Sequence, residues 1–184
     1  MLNPGPATTS ESVKQALVVP DICPRESEFG DLMDSIRKDL VKVVHGGDEY
    51  VAVLFTSSGT GAVEAAVTSV VPKNKKFLVI DNGAYGTRMA SIARTYHIDL
   101  IEYKIPYGDY IDLEEVERIL ATNKSISHVG MIHHETTTGM LNPVKEVSEI
   151  AHRYGAEVIV DTISSYAGIP INIKEYNLEF IAST

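Results

Sequence analysis

The chain has 184 residues, 44% of them hydrophobic, which is enough for one sizeable core, and a single domain is the default at this length. Its formal net charge of -9 weighs against nucleic acid and acidic membrane surfaces as partners, while leaving room for a local anion site built from backbone dipoles. One cysteine, Cys23, permits no internal disulfide and fits a reducing compartment. With no secretory leader and no apolar stretch near the ~20 residues that span a bilayer, the expectation is a cytoplasmic protein.

In chain order, Leu2 to Ala7 contain two prolines bracketing a glycine and predict neither helix nor strand. Cys23 stands before Pro24 with no second cysteine or histidine cluster, which reads as packing rather than chemistry. Phe29, Leu32, Met33, Ile36, Leu40, Val43 and Val44 recur at helical spacing and predict an amphipathic helix over about 26–45. His45-Gly46-Gly47 then predicts a glycine C-cap. From Tyr50 onward apolar runs at 51–55, 77–80, 100–105, 128–132 and 157–160 read as strands. Helical patterns separate them at 62–70, 85–96, 113–121 and 144–154. Such alternation implies βαβ crossovers and a mostly parallel α/β sheet with helices on both faces. A final apolar segment, 178–182, begins another strand just before the sequence stops. The expectation is the front part of a longer protein, with an edge strand prone to association.

The stretch Val51 to Ala66, VAVLFTSSGTGAVEAA, carries the most information. A strand that turns through Ser58, Gly59, Thr60 and Gly61 into a helix leaves backbone N–H groups unpaired at the positive end of the helix dipole. Glycine lets an anion approach them, and the hydroxyls add donors, so the segment can cradle a phosphate. The same pattern also describes an ordinary structural strand-to-helix turn. It matches neither G-x-x-x-x-G-K-[ST] nor G-x-G-x-x-G.

Open parallel sheets bind ligands outside the carboxyl ends of their strands. The residues expected there are Ser58-Gly59-Thr60, then Asp81 to Gly86 with Tyr85, then His133 to Gly139, then Asp161 to Ser165. Each has a plain alternative: Asp81 and Asp161 as turn caps, Tyr85 as a packing ring, Thr136 to Thr138 as a hydroxyl-bonded turn. Adjacent histidines on extended backbone point to opposite sides, so His133 and His134 make a poor chelate and no metal is expected. Taken together, a phosphate clamp, a ring to stack on, hydroxyls and a carboxylate suit a flat, phosphorylated heteroaromatic cofactor.

Several strings extend this reading: NPGPATT at Asn3, PDICPRE at Pro20, SSGTGAVEA at Ser57, NGAYGTRM at Asn82, HHETTTGMLNP at His133 and VDTISSYAG at Val160. Together they resemble the 2-aminoethylphosphonate–pyruvate aminotransferases, within the class V, fold-type I enzymes that use pyridoxal 5'-phosphate. The likeness covers this whole chain but about the N-terminal half of the family's length. It implies an N-terminal arm and first helix over 1–48, an incomplete cofactor-binding large domain over 49–184, and a small domain lying beyond.

The resemblance also implies roles. Ser58, Gly59 and Thr60 would hold the cofactor phosphate. Tyr85 and Ile163 would cover the two faces of the pyridine ring, Thr136 would bond near the ring hydroxyl, and Asp161 would pair with the ring nitrogen as the catalytic carboxylate. Asn3, Pro4 and Gly5 would border the substrate pocket. The implied reaction moves an amino group from 2-aminoethylphosphonate to pyruvate, giving phosphonoacetaldehyde and alanine, in a homodimer. The family's Schiff-base lysine would lie past the last strand, and none of the lysines here stands in that place, so this chain alone is expected to show no turnover. Two alternatives remain at this point: a serine or alanine aminotransferase acting with glyoxylate or pyruvate, and a non-catalytic phosphate-binding α/β domain.

Overall fold

A computed structural model describes residues 8–184, so the expected role of Asn3, Pro4 and Gly5 lies outside the described residues. The chain divides into two compact units, one ending at Leu54 and the other beginning at Phe55.

The first unit holds a short helix α1 (Glu11–Gln15), capped by Ser10, and a long helix α2 (Ser27–Val43). A single 3-10 turn, Gly47–Glu49, follows. The end of α2 differs from expectation. The left-handed residue is His45, at φ 57, and Gly46 is right-handed at φ -68. His45 N–H donates to the Lys42 carbonyl at 3.1 Å and Gly46 N–H reaches back to the Val41 carbonyl at 3.0 Å. That is a Schellman closure with histidine in the position glycine usually takes. Glycine was therefore the right signal one residue too late.

The second unit is built on a five-stranded sheet in the order β2-β1-β3-β6-β7. Its strands are β1 (Lys76–Asp81), β2 (Asp99–Lys104), β3 (Ile126–Ile132), β6 (Glu157–Asp161) and β7 (Phe180–Ala182), and every neighbouring pair is parallel. Four helices join or precede them: α3 (Gly59–Val70), α4 (Ala84–Thr95), α5 (Leu113–Thr122) and α6 (Val144–Arg153). A small hairpin, β4 (His134–Glu135) with β5 (Met140–Leu141), interrupts the path from β3 to α6. β1 connects outward to β2, whereas the chain returns through α5 to β3 on the other side of β1. The sheet thus has a switch point between β1 and β3, where an open α/β sheet leaves a crevice at its carboxyl edge.

Strand alternation decides what faces that crevice. Phe77 and Val79 of β1, Ile132 of β3, Ile159 of β6 and Ala182 of β7 share one buried cluster with Val63 and Val67 of α3 and Met89 and Ala93 of α4. Asp161, two residues after Ile159, falls on this same face. α6 packs on β3 and β6, with α5 against it. The inner strands β1, β3 and β6 are mostly buried apolar runs because both faces are covered, whereas the edge strand β2 is only half-buried.

One expected strand is missing. Val51, Val53 and Phe55 stand 82%, 64% and 57% exposed, and 51–55 pairs with no described strand. Alternating apolar residues mark a segment able to enter a sheet, but a strand exists only where a neighbour completes its ladder. The turn at Ser58 therefore starts α3 without a strand before it.

Gly130 shows how closely the sheet and α4 approach. A Cβ there would lie 2.3 Å from Phe77 Cζ and 2.6 Å from Met89 Sδ. We expect Gly130→Ala to destabilise the unit by about 1–3 kcal/mol through overpacking, measured as a lower urea midpoint at unchanged slope. An unchanged midpoint would show that Phe77 and Met89 yield freely.

Candidate functional site

The first turn of α3 is shaped by its neighbours. Ser58 is the N-cap residue, yet its hydroxyl makes no capping bond, and the first turn carries no acidic side chain. The leading N–H groups of α3 thus keep their donor capacity. Gly59 is buried because Ile163 lies on it: a Cβ would meet Ile163 Cδ1 at 2.5 Å and Cγ1 at 2.8 Å. Gly61 makes room in turn for Ser57, whose Oγ would be 2.0 Å from an added Cβ. Neither glycine adopts a left-handed backbone, so close approach explains both.

Facing this turn is α4, whose Tyr85, Arg88, Met89 and Ile92 follow the i, i+3, i+4, i+7 spacing of one helix face. Its N-terminus is held from a distance. The buried Glu135 carboxylate accepts from the backbone N–H of Tyr85 at 3.0 Å and of Gly86 at 3.4 Å through Oε2. Its Oε1 accepts from Thr137 N–H at 3.2 Å and Thr137 Oγ1 at 2.6 Å, and Thr137 Oγ1 accepts from Ala84 N–H at 3.1 Å. A carboxylate at a helix N-terminus satisfies the orphan donors and complements the dipole. Here the cap comes from another part of the chain. Asp81 adds to the same end, accepting from Gly83 N–H at 3.3 Å and from Thr87 Oγ1 at 2.9 Å. The capping role expected for Asp81 is what it performs.

The remaining loops are tied together below the rim. Asn82 and Asn142 form a buried side-chain pair at 2.8 Å, and Asn142 also donates to the Ile132 carbonyl at 2.8 Å. His133 Nδ1 lies 2.9 Å from Ser165 Oγ and His134 Nδ1 lies 3.1 Å from Ser164 Oγ. These histidines join the hairpin loop to the loop after β6, and burial, aided by His134, holds the His133 imidazole below its ordinary pKa.

Between α3, α4 and the end of β6 lies a partly open cavity of about 180 Å³. Ser58, Gly59 and Thr60 line it, together with Tyr85, Asp161 and Ile163. Six residues picked out in the sequence thus come to one place. Thr136 does not join them: it is half-buried in the β4–β5 turn, outside the cavity lining. Thr137 and Thr138 behave as a hydroxyl-bonded turn on Glu135. Two residues that lie within the quoted strings were given no role by sequence reasoning. Arg88 lines the cavity, and its only sequence signal is its place one helical turn beyond Tyr85. Glu135 acts on N–H groups about fifty residues away in the chain, which no local pattern reveals.

Asp161 is the electrostatic centre of the cavity. It is 7% exposed, and Oδ1 accepts from Ile163 N–H at 2.9 Å. Burial pushes its carboxyl up from 3.8 to about 6, with the Glu135 charge adding to the effect while the Ile163 bond and Arg88 oppose it. A buried carboxylate of this kind is stabilised by a cationic partner. The site therefore fits a group that carries an anion toward Ser58–Thr60 and a protonated nitrogen toward Asp161.

The Asp161 shift has a definite consequence for the ligand-free chain. Its folded pKa exceeds its unfolded value, so its contribution is greatest below 3.8 and is lost as pH rises through about 6. His133 and His128, both held below 6.5 by burial, act oppositely and cost stability as pH falls below 6.5. Asp161→Asn removes only the first effect. We expect the variant to be more stable than the parent by about 2 kcal/mol at pH 7.5, the gap closing toward pH ~4. Urea unfolding of both proteins across that range measures it, and a gap independent of pH would contradict the assignment to Asp161.

The family model for aminotransferase class-V matches residues 12–184. The chain is 38% identical, over its whole length, to a 2-aminoethylphosphonate–pyruvate transaminase of Bacteroides fragilis, covering 51% of that protein. It is 39% identical to one of Bacillus cereus, again over its whole length and 50% of the relative. The chain therefore spans about half the length of the curated relatives it matches. Among solved structures, an alanine–glyoxylate aminotransferase from Nostoc sp. superposes with a TM-score of 0.90 at 30% identity, over 99% of this chain and 48% of that one. A mostly parallel sheet with helices on both faces, an α3 turn beside an acid at the end of β6, and a family match across nearly all of the sequence agree: the chain belongs to the aminotransferase class-V family.

Proposed function

We propose that this chain forms the cofactor-holding part of a pyridoxal 5'-phosphate-dependent aminotransferase that moves an amino group from 2-aminoethylphosphonate to pyruvate, giving phosphonoacetaldehyde and alanine. The observation that carries the reading is the shared cavity: a hydroxyl-rich helix N-terminus and a buried carboxylate face one space, with an aromatic ring and an isoleucine also on its wall. When bound, the cofactor supplies an electron-withdrawing ring that accepts charge as the substrate's Cα–H bond breaks.

The chain's own residues have separable tasks in this reading. Ser58, Gly59 and Thr60 hold the phosphate with backbone N–H groups and hydroxyls, the arrangement that suits an anion at a helix N-terminus. Asp161 holds a proton on the ring nitrogen; its displaced pKa returns toward the ordinary carboxylate range once that cation is beside it. Tyr85 and Ile163 restrict the ring to one plane and exclude water from it. Thr136 is assigned the ring hydroxyl, and Asn3, Pro4 and Gly5 the border of the substrate pocket, on the sequence resemblance alone. A homodimer and a cytoplasmic setting belong to the same reading, the second supported by the lone Cys23 and by the lack, among the described residues, of any helix long and apolar enough to cross a membrane.

The substrate choice rests on the phosphonate transaminases being 38% and 39% identical, above the 30% of the alanine–glyoxylate aminotransferase. A plain phosphate binder is the weaker alternative, because a buried acid on the cavity wall would repel a ligand that is only anionic. In a protein that carries this segment, we expect alanine to form from 2-aminoethylphosphonate and pyruvate. Asp161→Asn should lower kcat on the order of 10²-fold or more, the scale of losing one preorganised electrostatic partner. Equal rates with serine or glycine as amino donor would overturn the substrate, and full activity in the variant would overturn the role of Asp161.

A further inference from the structure

Among the described residues Arg88 is the one cation on the cavity wall, and it forms no ion pair there. Four other arginines pair with carboxylates: Arg37 with Asp34, Arg94 with Glu102, Arg118 with Glu115 and Arg153 with Glu117. Arg88 instead has two neutral partners. Its guanidinium carbon stands 4.8 Å from the centroid of the Tyr85 ring, and Nη1 donates to Thr60 Oγ1 at 3.4 Å. A guanidinium has five N–H donors in a fixed fork, so one bond to Thr60 leaves most of its capacity unused. The stack on Tyr85 limits where the fork can swing and keeps it at the first turn of α3.

We infer that Arg88 is a phosphate-holding residue of this site, supplying the positive charge that the Ser58–Thr60 turn lacks; the inference rests on the proposed cofactor reading and deepens it. The turn offers only neutral donors. A phosphate dianion placed there lies in a chain of net charge -9 and shares its cavity with Asp161. Backbone dipoles amount to about half an elementary charge at a helix N-terminus, which leaves most of a dianion unbalanced. Arg88, already bonded to Thr60, is the group positioned to offset the remainder. It also stands one helical turn from the ring-stacking Tyr85, so α4 presents ring contact and phosphate contact from one rigid face.

The test compares two ligands that cannot form a Schiff base, pyridoxamine 5'-phosphate and pyridoxamine, by titration calorimetry on this chain and on Arg88→Gln and Arg88→Lys. The parent should bind the phosphorylated ligand more tightly. Arg88→Gln should weaken pyridoxamine 5'-phosphate by about tenfold, the scale of one charge-assisted hydrogen bond, and leave pyridoxamine unchanged. Arg88→Lys should keep part of the preference, since it retains charge without the fork. If Arg88→Gln weakens both ligands alike, Arg88 serves only to pack Tyr85 and the inference fails. If the variant keeps the full preference for phosphate, the inference fails while the cofactor reading stands. If the parent binds neither ligand, the cofactor reading itself fails and takes this inference with it.

Discussion

The buried carboxylate of Glu135 is the constraint on which the site's geometry depends. It sits in a two-residue strand of a small hairpin, yet it satisfies the leading N–H groups of α4 and fixes where that helix begins. The fit is tight: a Cβ on Gly83 would fall 2.2 Å from Glu135 Cγ, so the chain before α4 can only be glycine if the carboxylate is to reach the helix end. Once the first turn of α4 is fixed, Tyr85 and Arg88 follow by helical spacing. The two histidines secure the other side, since His133 and His134 bind Ser165 and Ser164 in the loop that follows Asp161 and carries Ile163. Hairpin, α4 and the loop after β6 therefore form one polar lattice, and a half-satisfied lattice of this kind would be worse than none.

The same carboxylate has an electrostatic effect at the cavity. Its charge contributes to raising the Asp161 pKa, so two buried acids, one in the hairpin and one at the end of β6, do different work. Glu135 is fully occupied by N–H and O–H donors and serves structure. Asp161 has been deprived of solvent and waits for a cation. Its protonation therefore differs between folded and unfolded chains between about pH 3.8 and 6, and above that range the buried charge costs stability that a cationic occupant of the cavity would restore. Stability is given up at Asp161, where a cationic group on a ligand would restore it.

Most of the sheet was legible because its strands are buried on both faces and its helices on one. Runs such as Phe77 to Ile80 and the 3.6-residue spacing from Val144 to Ile150 carry that burial directly in the sequence. The strand expected at 51–55 failed for the complementary reason: apolar residues were present, but pairing is a property of two segments and the sequence of one does not contain it. The β4–β5 hairpin is too short for any period to register. At the site, the residues of single turns, Ser58 to Thr60 and Asp161 to Ile163, could be found because the chemistry is local. Glu135 could not, since its partners are remote, and Arg88 reads as any solvated helix cation until the fold brings Thr60 beside it.

What distinguishes this cavity from a simple anion site is that its two ends disagree in sign. The α3 turn and Arg88 favour negative charge, whereas Asp161 at the end of β6 favours positive charge. A free phosphate satisfies the first and is repelled by the second. In a partly buried setting of effective dielectric near 20, two like charges several ångströms apart still interact by on the order of 1–4 kcal/mol. An occupant that is anionic at one end and protonated at the other gains at both, and a flat ring between them uses the Tyr85 and Ile163 walls. The selectivity thus comes from separation of charge along the ligand, more than from the strength of either contact. A helix N-terminus alone would hold any small anion, and the buried acid is what restricts this one to a ligand with a cationic far end.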